Sequence, residues 1–275
     1  MTLATVSVTI GKVNGKIQRR QNDLLAVEEP LEIQVGASGG APRNLSVTMR
    51  TPGHDAELAA GFLLSEDIIS DASQIRGIAN PGPNIVVVEL SPDALVKAPA
   101  PQRGFVMTSA CGLCGKESLE ALTANRCPVL PLSGFRIDSG AIHRLPQQLR
   151  QSQDVFESTG GLHAAALFNE SGELQSLRED VGRHNAVDKL VGHALLNSRT
   201  PLSDSVMLVS GRASFELVQK AAMAGIPVLA AVGAPSSLAA SEAERCGLTL
   251  IGFLRNGSFN IYNGIARIGG LEEAQ

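Results

Sequence analysis

VMLVSGRASFELVQKAAMAGIPVLAAVGAPSSLAASEAERCGLTLIGFL, residues 206–254, alternates short apolar runs with amphipathic ones. Residues 206–210, 228–232 and 248–254 read as strands, and residues 215–224 and 238–246 as the helices between them. Gly225 and Gly247 stand where C′ glycines end these helices, and Ser214 and Ser237 where N-caps begin them. Strands separated by helices predict a layered α/β domain. Upstream, the pattern continues with a helix over 141–151, strands over 163–168 and 174–177, and a helix over 185–196. Downstream, Asn256-Gly257 reads as a hairpin turn into residues 259–262.

The first hundred residues follow a different pattern. Strand-like runs at 3–10, 31–35, 45–50 and 85–90 surround one helix that follows Thr51-Pro52-Gly53, which marks a smaller α+β unit. The proline-rich stretch from Ser91 to Pro101 reads as a linker, with a short strand over 105–108 beyond it. The expected organisation is an N-terminal α+β domain over 1–104 and an α/β domain over 105–275.

Composition narrows the function. Of 275 residues, 44% are hydrophobic and 18% charged, which suits a packed globular protein. The absence of Trp, a single Tyr and a net charge of -4 disfavour base-stacking platforms and non-specific polynucleotide binding. Residues 1–10 lack a basic region leading into a long apolar core, and the apolar stretch over 226–234 is too short to span a bilayer. A cytoplasmic protein is expected, with no membrane or nucleic-acid partner and with reduced cysteines rather than a disulfide framework.

Sulfur chemistry then comes forward, in the run Thr108-Ser109-Ala110-Cys111-Gly112-Leu113-Cys114-Gly115-Lys116. A free thiol is only about 3% thiolate at pH 7, so a reactive one needs a nearby positive charge or helix N-terminus, and Lys116 offers the charge. Gly112 and Gly115 permit a tight, mobile turn. A cysteine that accepts sulfane sulfur becomes a persulfide and delivers the terminal sulfur by the displacement chemistry of disulfide exchange. On spacing alone, three roles stay open: structure or metal, redox exchange, and sulfur transfer. Zinc deaminase chemistry fits poorly, because Ala110 replaces the proline before the first cysteine and no His or Cys has Glu two positions later. Cys127 is a possible third zinc ligand, but nothing at finger-like spacing completes a set of four, and no structural metal is expected.

Other segments are dense in charge. In the run from Arg178 to Lys189, Asn185 and Asp188 imitate a capping box, which would place Arg183 and His184 just ahead of a helix N-terminus suited to phosphate. The plainer reading has Arg178, Glu179, Asp180 and Arg183 neutralising one another around a turn. Ser210-Gly211-Arg212 and Phe253-Leu254-Arg255-Asn256-Gly257-Ser258 both close predicted strands, where ligands of layered α/β domains gather. His163 follows a glycine turn and is a candidate pocket residue; His143 and His193 read as ordinary helical positions, and His54 as a helix cap.

Together, the cysteine run, Gly160-Gly161-Leu162-His163, the Arg178 to Lys189 run, Ser210-Gly211-Arg212 and Arg255-Asn256-Gly257 resemble the FdhD family of formate dehydrogenase accessory sulfurtransferases. Thr51-Pro52-Gly53 and Gly61-Phe62-Leu63-Leu64 are similar to that family's N-terminal half. The resemblance implies a homodimeric sulfur carrier that takes persulfide sulfur from a cysteine desulfurase. It implies delivery to the bis-guanine-dinucleotide molybdenum cofactor, a bound substrate, before the cofactor enters formate dehydrogenase. It further implies a C-terminal domain similar to the cytidine deaminase fold. Cys111 corresponds to the persulfide-bearing nucleophile and Cys114 to its helper; Phe253, Leu254, Arg255, Asn256, Gly257 and Ser258 fall on the cofactor contact, and Ser258 stands where a basic residue can occur in relatives. A non-catalytic cofactor chaperone and, further off, a thiol-disulfide oxidoreductase are the rival readings.

Overall fold

The structure, a computed structural model, describes residues 4–98, 127–132 and 134–272. Strands β1 (Thr5–Asn14) and β2 (Ile17–Ala26) pair as an antiparallel ribbon with exposed side chains along most of its length. Then come β3 (Glu29–Gly36), β4 (Arg43–Arg50), helix α1 (Asp55–Ser65), β5 (Ile75–Gly82), β6 (Ile85–Leu90) and helix α2 (Pro92–Lys97). Their four strands form a sheet in the order β4-β3-β6-β5, with β3 and β6 parallel. Helix α2 occupies part of the stretch expected as linker: Pro92 sits in the first turn, where its missing N–H costs nothing.

After residue 126 follow β7 (Ile137–Asp138), α3 (Ser139–Gln151), α4 (Asp154–Thr159), β8 (His163–Phe168), β9 (Leu174–Asp180) and α5 (Arg183–Leu196). The chain continues through β10 (Val206–Val209), α6 (Phe215–Met223), β11 (Val228–Ala231), α7 (Ser237–Arg245), β12 (Thr249–Arg255), β13 (Ser258–Asn263) and β14 (Ile268–Gly269). Six strands form one sheet in the order β13-β12-β11-β10-β8-β9. The neighbours β10, β11 and β12 are parallel, and β8, β9 and β13 join antiparallel. The expected α/β class is met, and the expected boundary at 104/105 lies outside the described residues.

Strand alternation explains how the sheet is covered on both faces. Ala165, Leu167, Met207, Val209, Leu229, Ala231 and Leu250 face a core shared with α5, α6 and α7. Ala164, Ala166, Phe168, Val206, Leu208, Val228, Ala230 and Ile251 face the opposite way, towards Ile142, Leu145 and Leu149 of α3. Leu31, Ile33, Val35, Val86 and Val88 of the N-terminal sheet belong to the first of these cores. Helix α1 is buried from Leu58 to Ser65 because it lies between that sheet and α5. At the α1–α5 crossing the backbones touch: a Cβ on Gly61 would overlap the Asp188 carbonyl, and one on Gly192 would overlap the Glu57 carbonyl.

Helix ends follow local chemistry with two corrections. Gly225 and Gly247 have φ of 78° and 65°, as C′ glycines require. Ser236, not Ser237, caps α7, its hydroxyl accepting from the Ala239 N–H at 3.1 Å. The N-cap of α5 is Gly182, so Arg183 and His184 lie inside the first turn and Asn185 is not a cap. The Asn185 side chain turns inward instead, where three backbone and side-chain partners outcompete a local cap.

Candidate functional site

Arg178, Glu179 and Asp180 do not neutralise one another around a turn: Arg178 and Glu179 reach other segments, and Asp180 pairs with Lys189. Arg178 donates to both oxygens of Glu57 on α1, at 2.6 and 2.8 Å, while Glu179 accepts from the backbone N–H groups of Val155 and Phe156 at 3.1 and 2.9 Å. Successive residues of β9 point to opposite faces, so adjacent charges cannot meet. Asp180, fully buried, accepts from Thr51 N at 3.1 Å, Gly182 N at 2.8 Å, Asn185 Nδ2 at 3.0 Å and Lys189 Nζ at 2.7 Å. Lys189 Nζ donates also to the Thr51 carbonyl at 2.7 Å, and Asn185 Nδ2 to the Met49 carbonyl at 2.7 Å. The carboxylate therefore joins the end of β4 to the start of α5. Asp188 makes a second buried link, accepting from Lys220 Nζ at 2.7 Å and from the Ser65 hydroxyl at 2.9 Å.

Glu57 carries a pH dependence. Burial raises its carboxyl, but the hydrogen bonds and charges of Arg178 and His54 outweigh burial and hold it well below the usual carboxylate range. A depressed native pKa gives stability that is present above the unfolded value of about 4.3 and lost as pH falls through the folded one. Glu57→Gln should cost about 1.5–3 kcal/mol at pH 7. Thermal melts from pH 7 down to 3 should show the variant and the parent converging on the acid side; parallel curves would exclude Glu57 as the source. His54 occupies the N-cap of α1 as expected, but its ring pairs with Glu57 at 3.2 Å instead of bonding a helix N–H.

The cluster that looks open to a ligand lies at the C-terminal ends of β10, β11 and β12. Their loops are knitted together: Gly233 N donates to the Gly211 carbonyl at 2.9 Å, and Phe253 N donates to the Gly233 carbonyl at 3.0 Å. The gap between Gly233 and Arg212 is so narrow that a Cβ on Gly233 would stand 3.0 Å from the Gly211 carbonyl oxygen. Arg183, Arg212, Ala213, Ser214, Ala234, Pro235 and Ser236 line a cavity of about 260 Å³. Three helices begin at its rim, α5 at Arg183, α6 after Ser214 and α7 after Ser236, so their free N–H groups and positive dipole ends converge there. The Ser214 side chain makes no capping bond, and Arg183 Nε is buried with no hydrogen-bond partner among the described residues. An anion with several acceptor oxygens suits the free helix N–H groups and the two guanidinium charges at this cavity.

His163, half-buried, stands beside this cavity with its ring next to Gly211. Burial, then the charges of Arg183 and His184, push its pKa down, so the neutral imidazole is favoured. His184 Nε2 lies 2.6 Å from a carboxylate oxygen of Glu216. Burial raises the Glu216 carboxyl, but the bond and charge of His184 more than reverse this and lower it. His163 is expected to point into a pocket; its ring lies against Gly211, and it is not among the residues that line this cavity. His193 contacts Glu57 at 3.0 Å, and His143 packs on the Phe259 ring at 5.0 Å between centroids.

None of the residues from Phe253 to Ser258 lines this cavity, although Gly252 just before them packs against Pro235 of its wall, and Ser258 lines a separate cavity with His143 and Phe259. Phe253 adopts φ 54°, a left-handed conformation costly for an aromatic residue, at the register shift between Gly252 and Arg255. Leu254 is buried, while Arg255 is exposed with its guanidinium carbon 5.6 Å from the Phe253 ring centre. Asn256 and Gly257, at φ 53° and 71°, form the two-residue turn between β12 and β13, so the hairpin reading holds. The Ser258 hydroxyl donates to the Arg255 carbonyl at 3.2 Å. Cys111 and Cys114 lie outside the described residues. What the sequence did not point to is the buried clamp around Asp180 and the bulge at Phe253.

Residues 26–269 match the model described as the FdhD/NarQ family. The chain is 52% identical over 265 residues to the sulfur carrier protein FdhD of Streptomyces coelicolor, covering 93% of this chain and 92% of the relative. It is 43% identical over 261 residues to the sulfur carrier protein FdhD of the archaeon Sulfurisphaera tokodaii, covering 95% and 98%. A crystal structure described as a formate dehydrogenase accessory protein from Desulfotalea psychrophila superimposes with a TM-score of 0.76 at 27% identity, covering 96% of this chain and 99% of that one.

Proposed function

The chain belongs to the FdhD/NarQ family, and from that premise we propose that it is a sulfur carrier serving formate dehydrogenase, with its cationic cavity holding the guanine-dinucleotide end of the molybdenum cofactor. In this reading the Cys111 thiolate attacks the terminal sulfur of a desulfurase persulfide; the donor cysteine leaves as a thiolate and Cys111 carries the new persulfide. Cys114 then attacks the Cys111 sulfur, expelling hydrosulfide towards the metal and closing a Cys111–Cys114 disulfide, which a cellular dithiol reduces. The atoms and electrons balance without a resident metal on the protein.

The observation that carries the binding half is the convergence of Arg183, Arg212 and three helix N-termini on one cavity. Arg183 and Arg212 would neutralise the pyrophosphate, which matters for a chain of net charge -4. Arg255, beside the Phe253 ring, and the Asn256-Gly257 turn would meet the guanosine end beyond the cavity. The sheet, with three parallel strands flanked by antiparallel ones, is compatible with the deaminase-like framework of the same reading. Ala186 stands two residues after His184, so the acid/base of a deaminase is missing from this position.

Two measurements separate the halves of the proposal. Incubation with a cysteine desulfurase and sulfur-labelled cysteine should place cyanide-releasable sulfur on the parent, and Cys111→Ala should carry almost none. Arg212→Ala should load sulfur normally yet bind GDP about tenfold or more weakly, as expected when a charge-assisted phosphate contact worth about 1.5–3 kcal/mol is removed. A Cys111→Ala, Cys114→Ala protein that still yields active formate dehydrogenase would overturn the carrier reading in favour of the chaperone.

A further inference from the structure

Far from the nucleotide cavity, Cys127 and Cys246 meet Glu242 in the interior. Cys246 caps the C-terminus of α7 and Glu242 lies one turn earlier on the same face, while Cys127 arrives from the segment preceding β7. One ligand atom from each lies within 4.8 Å of the other two. All three residues are at least nine-tenths buried, at 4%, 0% and 7% exposure for Cys127, Cys246 and Glu242. The arrival of Cys127 is fixed by the backbone, since Leu130 N donates to the Cys246 carbonyl at 2.8 Å.

The donor set matches a specific class of ligand. Cys246 Sγ stands 3.6 Å from Glu242 Oε1. Tetrahedral zinc with bonds of about 2.3 Å to sulfur and about 2.0–2.2 Å to oxygen spaces such a pair by about 3.6 Å. Arg245 already holds the carboxylate, Nε to Oε2 at 2.8 Å and Nη2 to Oε1 at 2.6 Å, and lies 3.5 Å from Cys246 Sγ. Each carboxylate oxygen has a second lone pair, so Arg245 can orient Glu242 from the outside while an inner lone pair faces the thiols. Charge also closes: two thiolates, one carboxylate, one guanidinium and a divalent cation sum to zero, which a buried site requires.

We propose that Cys127, Glu242 and Cys246 form a binding site for a thiophilic divalent cation of the zinc class, with Arg245 as its orienting partner. Three protein donors leave one coordination position for water or a small exogenous ligand. Binding exchanges two thiol protons, released to solvent, for two metal–sulfur bonds, with no change of oxidation state. The cation would tie the stretch before β7 to the end of α7. The site is independent of the sulfur-carrier reading, because it uses neither Cys111 nor Cys114.

The test uses the full chain carrying Cys111→Ser and Cys114→Ser, which leaves Cys127 and Cys246 as its only thiols. Cobalt(II) titrated under anaerobic conditions should bind at one equivalent with sulfur-to-cobalt charge-transfer absorption, and zinc(II) should displace it. Zinc should slow alkylation of both cysteines, each followed on its own peptide by mass spectrometry. Adding Cys246→Ser should abolish the charge-transfer band, and Glu242→Gln should weaken zinc binding by about tenfold or more. Alkylation rates unchanged by zinc, cobalt bound without charge transfer, or a Cys127–Cys246 disulfide in the purified protein would each overturn the assignment. The alkylation readout needs no further substitution, so it decides the question even where Cys246→Ser fails to fold.

Discussion

Gly192→Ala is expected to destabilise the protein by about 3 kcal/mol or more, although alanine gains about 1 kcal/mol of helix propensity over glycine. The reason is the α1–α5 crossing, where the added methyl would occupy the position of the Glu57 carbonyl. Backbone cannot rotate aside as a side chain can, so the helices must separate and open the core around Leu58, Leu63 and Leu190. Gly61→Ala should behave alike, since its methyl would meet the Asp188 carbonyl. The double variant should lose much less than the sum, because helices already parted by one methyl make room for the other. Gly77→Ala serves as the control, its new Cβ meeting only the Glu89 side chain at ordinary contact distance. Urea unfolding measures all four; a Gly192→Ala loss below about 1 kcal/mol would show that the crossing is not tight.

Lys189→Met should cost about 3–5 kcal/mol, the range for stranding one member of a buried ion pair. Lys189 is 1% exposed and Asp180 0%, so no water replaces the ammonium beside the carboxylate. Adding Asp180→Asn should restore part of the loss at neutral pH by removing the stranded charge, its single amide oxygen still accepting from one of the Thr51 and Gly182 N–H groups. Denaturant melts at pH 7 check both points; a double variant no more stable than Lys189→Met would remove the stranded Asp180 charge from the account.

The two networks mark where sequence reasoning succeeds and where it stops. Residues 206–254 were legible because β10, β11 and β12 are continuous apolar runs and their helices end in glycines with positive φ. Strand β2 was missed because Ile17–Ala26 is exposed along almost its whole length and shows no apolar alternation. Helix α2 was hidden by the prolines flanking it. The role of Asp180 was out of reach, since its partner Thr51 lies more than a hundred residues away and only the fold brings them together. Arg183 and Arg212 were recognisable as strand-end and helix-start cations. That both line one cavity, together with the starts of three helices, is a property of three-dimensional packing.

Contact between bare backbones at Gly61 and Gly192 has a mechanical consequence. Two helices that touch without intervening side chains have no soft layer in which to slide, so α1 and α5 act as a single strut running from the N-terminal sheet to the mouth where Arg183 stands. The halves of the molecule on either side of that strut keep a fixed spacing. Under the proposed function, a cofactor seated at Arg183 would rest on a platform braced from behind.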